Sequence, residues 1–204
     1  MLIPSSYLPP VAYVSRVAAS ETAWIDGKEH FIKQTIRNRC HILSPNGIQP
    51  LIIPVIHNDR SHQQMESVSI SNDHPWQRQH WRSILAAYRR SAYFEFYADE
   101  FEPFYLQKHE SLLQFNTEIL MLILKLTGIN ARIRFSEKFD PYGETSPHDL
   151  RAAFNTGTPI ISPDQRKYPQ VFESKFGFTP GLSIIDLLFS LGPATREHLL
   201  LGRH

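Results

Sequence analysis

The 204-residue chain is 42% hydrophobic and 20% charged, which excludes a disordered polypeptide and suits one soluble globular domain. Its 21 lysines and arginines stand against 20 acids, so no general electrostatic attraction for nucleic acid or an anionic membrane is expected. The single cysteine, Cys40, excludes an intrachain disulfide and a multi-cysteine zinc site.

The opening residues, Met1 to Ser6, have neither the basic start nor the apolar stretch of a secretory signal. The most apolar tract, Ile119 to Leu126, is interrupted by Lys125 and is too short to cross a bilayer. The expectation is a cytoplasmic protein without membrane insertion. In chain order, the short apolar runs Leu2 to Ile3 and Ala23 to Ile25 flank Val11 to Ser20, where the Val14, Val17 and Ala18 spacing predicts a helix. Cys40 to Leu43 and Leu51 to Ile56 bracket Ser44-Pro45-Asn46-Gly47, a hairpin signal, with Pro54 pushing the second strand to an edge or a bulge.

Asn72-Asp73-His74-Pro75 offers a capping acceptor and a first-turn proline to a helix whose buried face is Trp81, Ile84, Leu85 and Tyr88. A short second helix is expected near Pro103, through Phe104 and Tyr105. A long third one is expected from Leu112 to Leu126, closed by Gly128. Ala131, Ile133 and Phe135 alternate with Arg132 and Arg134 as a half-buried strand does. Residues 140–168 are rich in proline and glycine with little periodicity, as in a loop or lid. Gly181-Leu182-Ser183 opens a last helix that stops at Gly192-Pro193. The fold class expected is mixed α/β: a small mixed sheet with a β-hairpin, a central helical segment and a C-terminal helix, in one domain over residues 1–204.

Charge is unevenly spread. Lys28, Lys33, Arg37 and Arg39 fall within twelve residues that hold one acid, Glu29. An extended Lys33 to His41 would put Lys33, Arg37, Arg39 and His41 on one face, and a helix would pair Lys33 with Arg37. Either way several cations are expected on one surface, where guanidinium forks fit phosphate or carboxylate oxygens. A solvated strand with weak ion pairs is the alternative. His80, with Tyr88 two turns on, places a phenol near a histidine, a pairing suited to proton transfer near neutral pH.

Ser183-Ile184-Ile185-Asp186 matches a capping box. The other reading turns Asp186 into a cleft, where it pairs a cation or orients a base. Tyr7-Leu8-Pro9-Pro10 with Tyr13 forms either a rigid aromatic turn or a pocket wall. The ten histidines show no metal spacing, and nucleotide and nucleophile motifs are absent, so no metal is assigned and the cofactor is unknown. Cys40, in an apolar strand, is expected to be an unreactive thiol.

Tyr-Leu-Pro-Pro followed by Tyr13, Lys33 with Arg37-Asn38-Arg39, Ile53-Pro54-Val55, Trp76 with His80-Trp81 and Ala87-Tyr88, Tyr93-Phe94-Glu95, and Leu182 to Phe189 with Gly192 stand in the order and spacing of a known family. The chain resembles the WbqC-like family of bacterial proteins. That resemblance implies a role in polysaccharide or O-antigen biosynthesis, with transfer of glycine or a related amino acid onto a sugar. It adds weight to Lys33, Arg37, Asn38, Arg39, His80 and Asp186 as one site. On this reading Lys33, Arg37 and Arg39 hold an anionic group and Asn38 and Tyr88 contact the ligand. His80 is the general base and Asp186 orients it. The partner expected is a small anionic ligand or a nucleotide-linked sugar, with no nucleic acid and with homo-oligomers compatible. The other function class is a non-catalytic scaffold of a glycan-assembly complex, using the aromatic Tyr88 to Tyr105 region as its interface.

Overall fold

A computed structural model of the chain describes residues 1–56, 63–137, 148–162 and 165–201. Its elements are β1 (Leu2–Ile3), α1 (Val11–Ala18), β2 (Thr22–Ile25), β3 (Arg39–Ser44), β4 (Gly47–Ile52), α2 (Trp76–Tyr88), α3 (Phe94–Phe101), α4 (Pro103–Leu106), α5 (Leu112–Thr127), β5 (Arg132–Phe135), α6 (Glu173–Phe176), α7 (Ile184–Leu191) and α8 (Thr195–Leu201). The architecture is mixed α/β. The strands divide into a parallel sheet, β1-β2-β5, and a separate antiparallel hairpin, β3-β4.

The strand, helix, strand opening is present, with β1 and β2 parallel and α1 burying Val11, Tyr13, Val14 and Val17. The hairpin turns on two residues, Pro45 and Asn46, because Ser44 pairs directly with Gly47. Gly47 takes the positive φ this turn needs, +107°. Its second strand therefore begins at Gly47 and not at Leu51. Pro50 falls opposite His41, a non-hydrogen-bonded position counted from the closing pair, where the missing N–H takes no bond from the ladder. The outward carbonyl of His41 accepts instead from the Ser183 N–H at 2.8 Å, which ties the hairpin to the start of α7.

The helix at 76–88 forms without the expected cap. Pro75 is its N-cap, with no side-chain hydrogen bond, and the Asn72 side chain is taken up by Gln77 and the His109 carbonyl. The short helix near Pro103 is a pair: α3 begins at Phe94, and Pro103 opens α4. The longest helix follows expectation, capped by the Ser111 side chain and ended by Gly128 in the left-handed region. Its Phe115, Ile119, Leu120 and Ile123 are buried in a core shared with α1, α2 and α7. No helix among the described residues is long and apolar enough to cross a membrane.

Of the 140–168 segment, residues up to 147 and residues 163 and 164 lie outside the described part. The part from His148 is tied to β1 by bonds from the Leu2 N–H to the His148 carbonyl and from the Leu150 N–H to the Leu2 carbonyl. Arg151, fully buried, is ion-paired with Asp26 and with Asp149. Nearby, Arg37 makes a two-pronged pair with Glu29, Nε to Oε1 at 2.8 Å and Nη2 to Oε2 at 2.6 Å, with both side chains at 0% exposure. Removing one partner of such a pair strands the other charge in the interior. Arg37→Ala is expected to lower stability by about 3–5 kcal/mol in urea denaturation, and Glu29→Met with Arg37→Met to recover most of that loss.

Candidate functional site

The turn at 33–39 is neither strand nor helix; only Arg39 enters β3. The expectation of several cations on one surface fails for that reason. Lys33 is exposed, Arg37 points inward to Glu29, and Arg39 is half-buried. The inner residues of this turn are fixed from several sides. The Ile36 carbonyl accepts from the Tyr7 N–H at 2.9 Å, and the Arg37 carbonyl accepts from Asn116 of α5 at 2.7 Å. Asn38 exchanges bonds with Ile53: its side chain donates to the Ile53 carbonyl, and its own carbonyl accepts from the Ile53 N–H. Arg37 thus spends its polar groups on holding the turn, as do the Asn38 side-chain N–H and backbone carbonyl, while the buried Asn38 Oδ1 has no partner among the described residues.

The turn carries Arg39 to a narrow cleft shared with Leu8, Cys40, His41, Thr158 and Ser183. The cavity at its floor is about 10 Å³, room for roughly one water. Two non-glycine residues beside it have positive φ, Leu8 at 38° and Gln34 at 60°, conformations that persist only where the surroundings impose them. Leu8 and Pro10 form one wall, so the Tyr7 to Pro10 segment does line a pocket, while the Tyr7 and Tyr13 rings lie buried beneath it. Burial, and after it the Arg39 charge, lowers the pKa of His41. Cys40 is buried, which raises its thiol well above the ordinary value.

His80 and Asp186 belong to two separate interior clusters, with no hydrogen bond between them. His80 Nδ1 lies 2.9 Å from the Tyr7 hydroxyl, which lies 3.0 Å from that of Tyr105. Burial holds His80 down to about 4, with a backbone bond to Ile52 working the other way. Burial thus favours the neutral imidazole, which shares a hydrogen bond through Nδ1 with the Tyr7 hydroxyl. The phenol beside His80 is Tyr7, not Tyr88, whose hydroxyl instead accepts from the Leu43 N–H. Asp186 faces Gln170, Tyr168 and Tyr88, with Gln170 Nε2 donating at 2.8 Å. The capping box is half made: Ser183 accepts from the Ile185 N–H, while the Ser183 N–H goes to His41 and not to Asp186.

A family model matches residues 5–158, which include the Tyr7 to Pro10 turn, the 33–39 turn and the far wall as far as Thr158. The chain belongs to the WbqC-like protein family. A relative, the uncharacterised protein Rv1507c of Mycobacterium tuberculosis, is 27% identical over 97% of this chain and 96% of its own. No solved structure matches the chain.

In this WbqC-like protein the acids that fix the turn carry little signal in the sequence. Glu29 was marked by being the one acid among the Lys28 to Arg39 cations. Asp26 and Arg151 carry no local signal, Arg151 lying in the aperiodic stretch. His41 follows Arg39 at strand period, which does mark it. Among the described residues no group of three His, Cys, Asp or Glu side chains is placed to hold a metal ion.

Burial raises Asp186 from the usual 3.8 to about 6, against hydrogen bonds that lower it. A folded value above the unfolded one stabilises fully below about pH 4, and that contribution is lost as pH rises through about 6. Asp186→Asn is therefore expected to gain on the wild type by up to about 3 kcal/mol between pH 4 and 7.5, measured by urea denaturation at each pH.

Proposed function

We propose that the protein is a cytoplasmic transferase of polysaccharide or O-antigen-type glycan assembly, acting on an activated amino acid or a nucleotide-linked sugar. The observation that carries this reading is the Arg39 cleft. It offers a half-buried guanidinium whose Nε has no partner among the described residues, set beside a histidine and framed by two strained turns. Perturbed side chains converging in one cleft are the usual mark of a binding site. Membership of the WbqC-like family supplies the glycan context.

The roles differ from a simple cation patch. Arg39 contacts the anionic group, and His41, on the same strand face, is the titratable imidazole beside it in the cleft. Arg37, Asn38, His80 and Asp186 act behind the cleft wall: Arg37 and Asn38 fix the turn, His80 steadies Tyr7 next to Leu8, and Asp186 lies three residues beyond Ser183.

A scaffold role has one observation in its favour. Phe96, in the aromatic region, and Leu106, just beyond it, are each about three-quarters exposed, at 75% and 74%, and exposed apolar side chains suit an interface. A thermal-shift panel of nucleotides, nucleotide sugars and amino acids separates the readings, since a ligand of the folded state raises its melting temperature. A shift in the wild type that Arg39→Gln abolishes is the result expected of the transferase. No shift with any compound, together with a stable hetero-complex on sizing, would leave the scaffold reading.

A further inference from the structure

The far wall of the cleft is a segment of the chain itself, Thr156 to Ile160. Its closest approach is Gly157. A Cβ there would stand 1.9 Å from the Gln34 carbonyl oxygen and 3.3 Å from Arg39 Nη1, so any larger residue would drive the segment away from the turn. Among the described residues the one side-chain hydrogen bond of Arg39 runs from Nη1 to the Gly157 carbonyl at 3.4 Å. Bonds from a guanidinium to an anionic oxygen close to about 2.7–2.9 Å. Arg39 Nε is buried and makes none. The neighbouring attachment is equally loose, Arg37 Nη1 to Asn155 at 3.4 Å, whereas Arg151, a few residues earlier, is firmly ion-paired. The segment is thus anchored at its base, packed on Gly181 at Pro159 and Ile160, and joined to the turn only by long hydrogen bonds at Asn155 and Gly157.

We propose that Arg39 and His41 bind a phosphoryl group of the ligand, and that the Gly157 carbonyl is its intramolecular stand-in, so that residues 156–160 lift when the ligand enters. The proposal rests on the reading that this cleft is the site. It follows from size first: the floor of the cleft holds about one water, so a phosphoryl group needs room that the segment over it, joined to the turn by long hydrogen bonds, can give. It follows next from the donor set. Two residues apart on one strand, Arg39 and His41 point to the same side about 7 Å apart. A carboxylate is satisfied by one guanidinium edge, while a phosphoryl group has a third oxygen and a second charge to engage the imidazole as well. The Arg39 charge opposes protonation of His41, and a dianion between them removes that opposition.

Calorimetry with inorganic pyrophosphate, with acetate as competitor, and hydrogen exchange of the 156–160 amides test this. Pyrophosphate is expected to bind the wild type, at least tenfold more weakly to Arg39→Gln, and without displacement by acetate. Its binding is expected to speed exchange at 156–160, and Gly157→Ala to bind it several-fold tighter. Equal competition by acetate would overturn the phosphoryl assignment. Binding without faster exchange at 156–160 would overturn the stand-in, and that wild-type result decides alone if Gly157→Ala does not fold. Failure of pyrophosphate to bind either protein would overturn the whole proposal. In that case a nucleotide sugar or amino acid that still protects the 36–41 amides would leave the cleft reading intact, and protection by none would remove both.

Discussion

Five fully or nearly buried charges govern this structure: the carboxylates of Asp26, Glu29 and Asp149 and the guanidiniums of Arg37 and Arg151. Buried pairs of this kind add little net stability, because desolvation offsets most of the attraction. They impose geometry instead. Asp26 sits one residue past β2 and accepts from the Lys28 and Glu29 N–H groups and from Ser136 beyond β5. Through Arg151 it reaches the 148–151 segment paired beside β1, and through Glu29 the network reaches the 33–39 turn. Three stretches distant in sequence are thereby locked in one register, and Arg39 leaves that locked unit at a fixed place.

The same device recurs behind both remaining walls of the cleft. His80, Tyr7 and Tyr105 form a buried polar chain next to strained Leu8. Asp186, Gln170, Tyr88 and Tyr168 form another beneath the start of α7. Each has the composition of a catalytic cluster, yet its polar groups, the Tyr168 hydroxyl excepted, are spent on one another and on backbone. Burial drives every one of these groups toward its neutral form: His80 downward, Tyr7, Tyr88 and Asp186 upward. Positioning is the role such groups fill, and the half-buried Arg39 and His41 keep the capacity to meet a ligand.

Much of the fold was legible because it is local. The helical period of Trp81, Ile84 and Tyr88, the Ser111 to Gly128 span of α5 and the hairpin turn all show in adjacent residues. What could not be read is tertiary. Nothing local distinguishes Arg37 from Arg39; only the chain returning with Glu29 and Asn155 decides which one is buried. Helix spacing placed Tyr88 near His80, but Tyr7 arrives from another element to take that hydrogen bond. The Ser183 to Asp186 spacing fits a capping box, and the hairpin register undoes it: His41 falls at a non-hydrogen-bonded pair of the ladder, and its outward carbonyl claims the Ser183 N–H. Family resemblance pointed to a stretch of chain without separating the inward-turned Arg37 from the half-buried Arg39.

The division between bracing and binding cations can be observed directly in the arginine side-chain Nε–H resonances, followed by NMR during a pyrophosphate titration. Arg39 Nε–H should move while those of Arg37 and Arg151, closed in their carboxylate pairs, stay in place. An unmoved Arg39 signal beside a moving Arg37 signal would contradict the assignment of Arg39 as the ligand contact and of Arg37 as its mount.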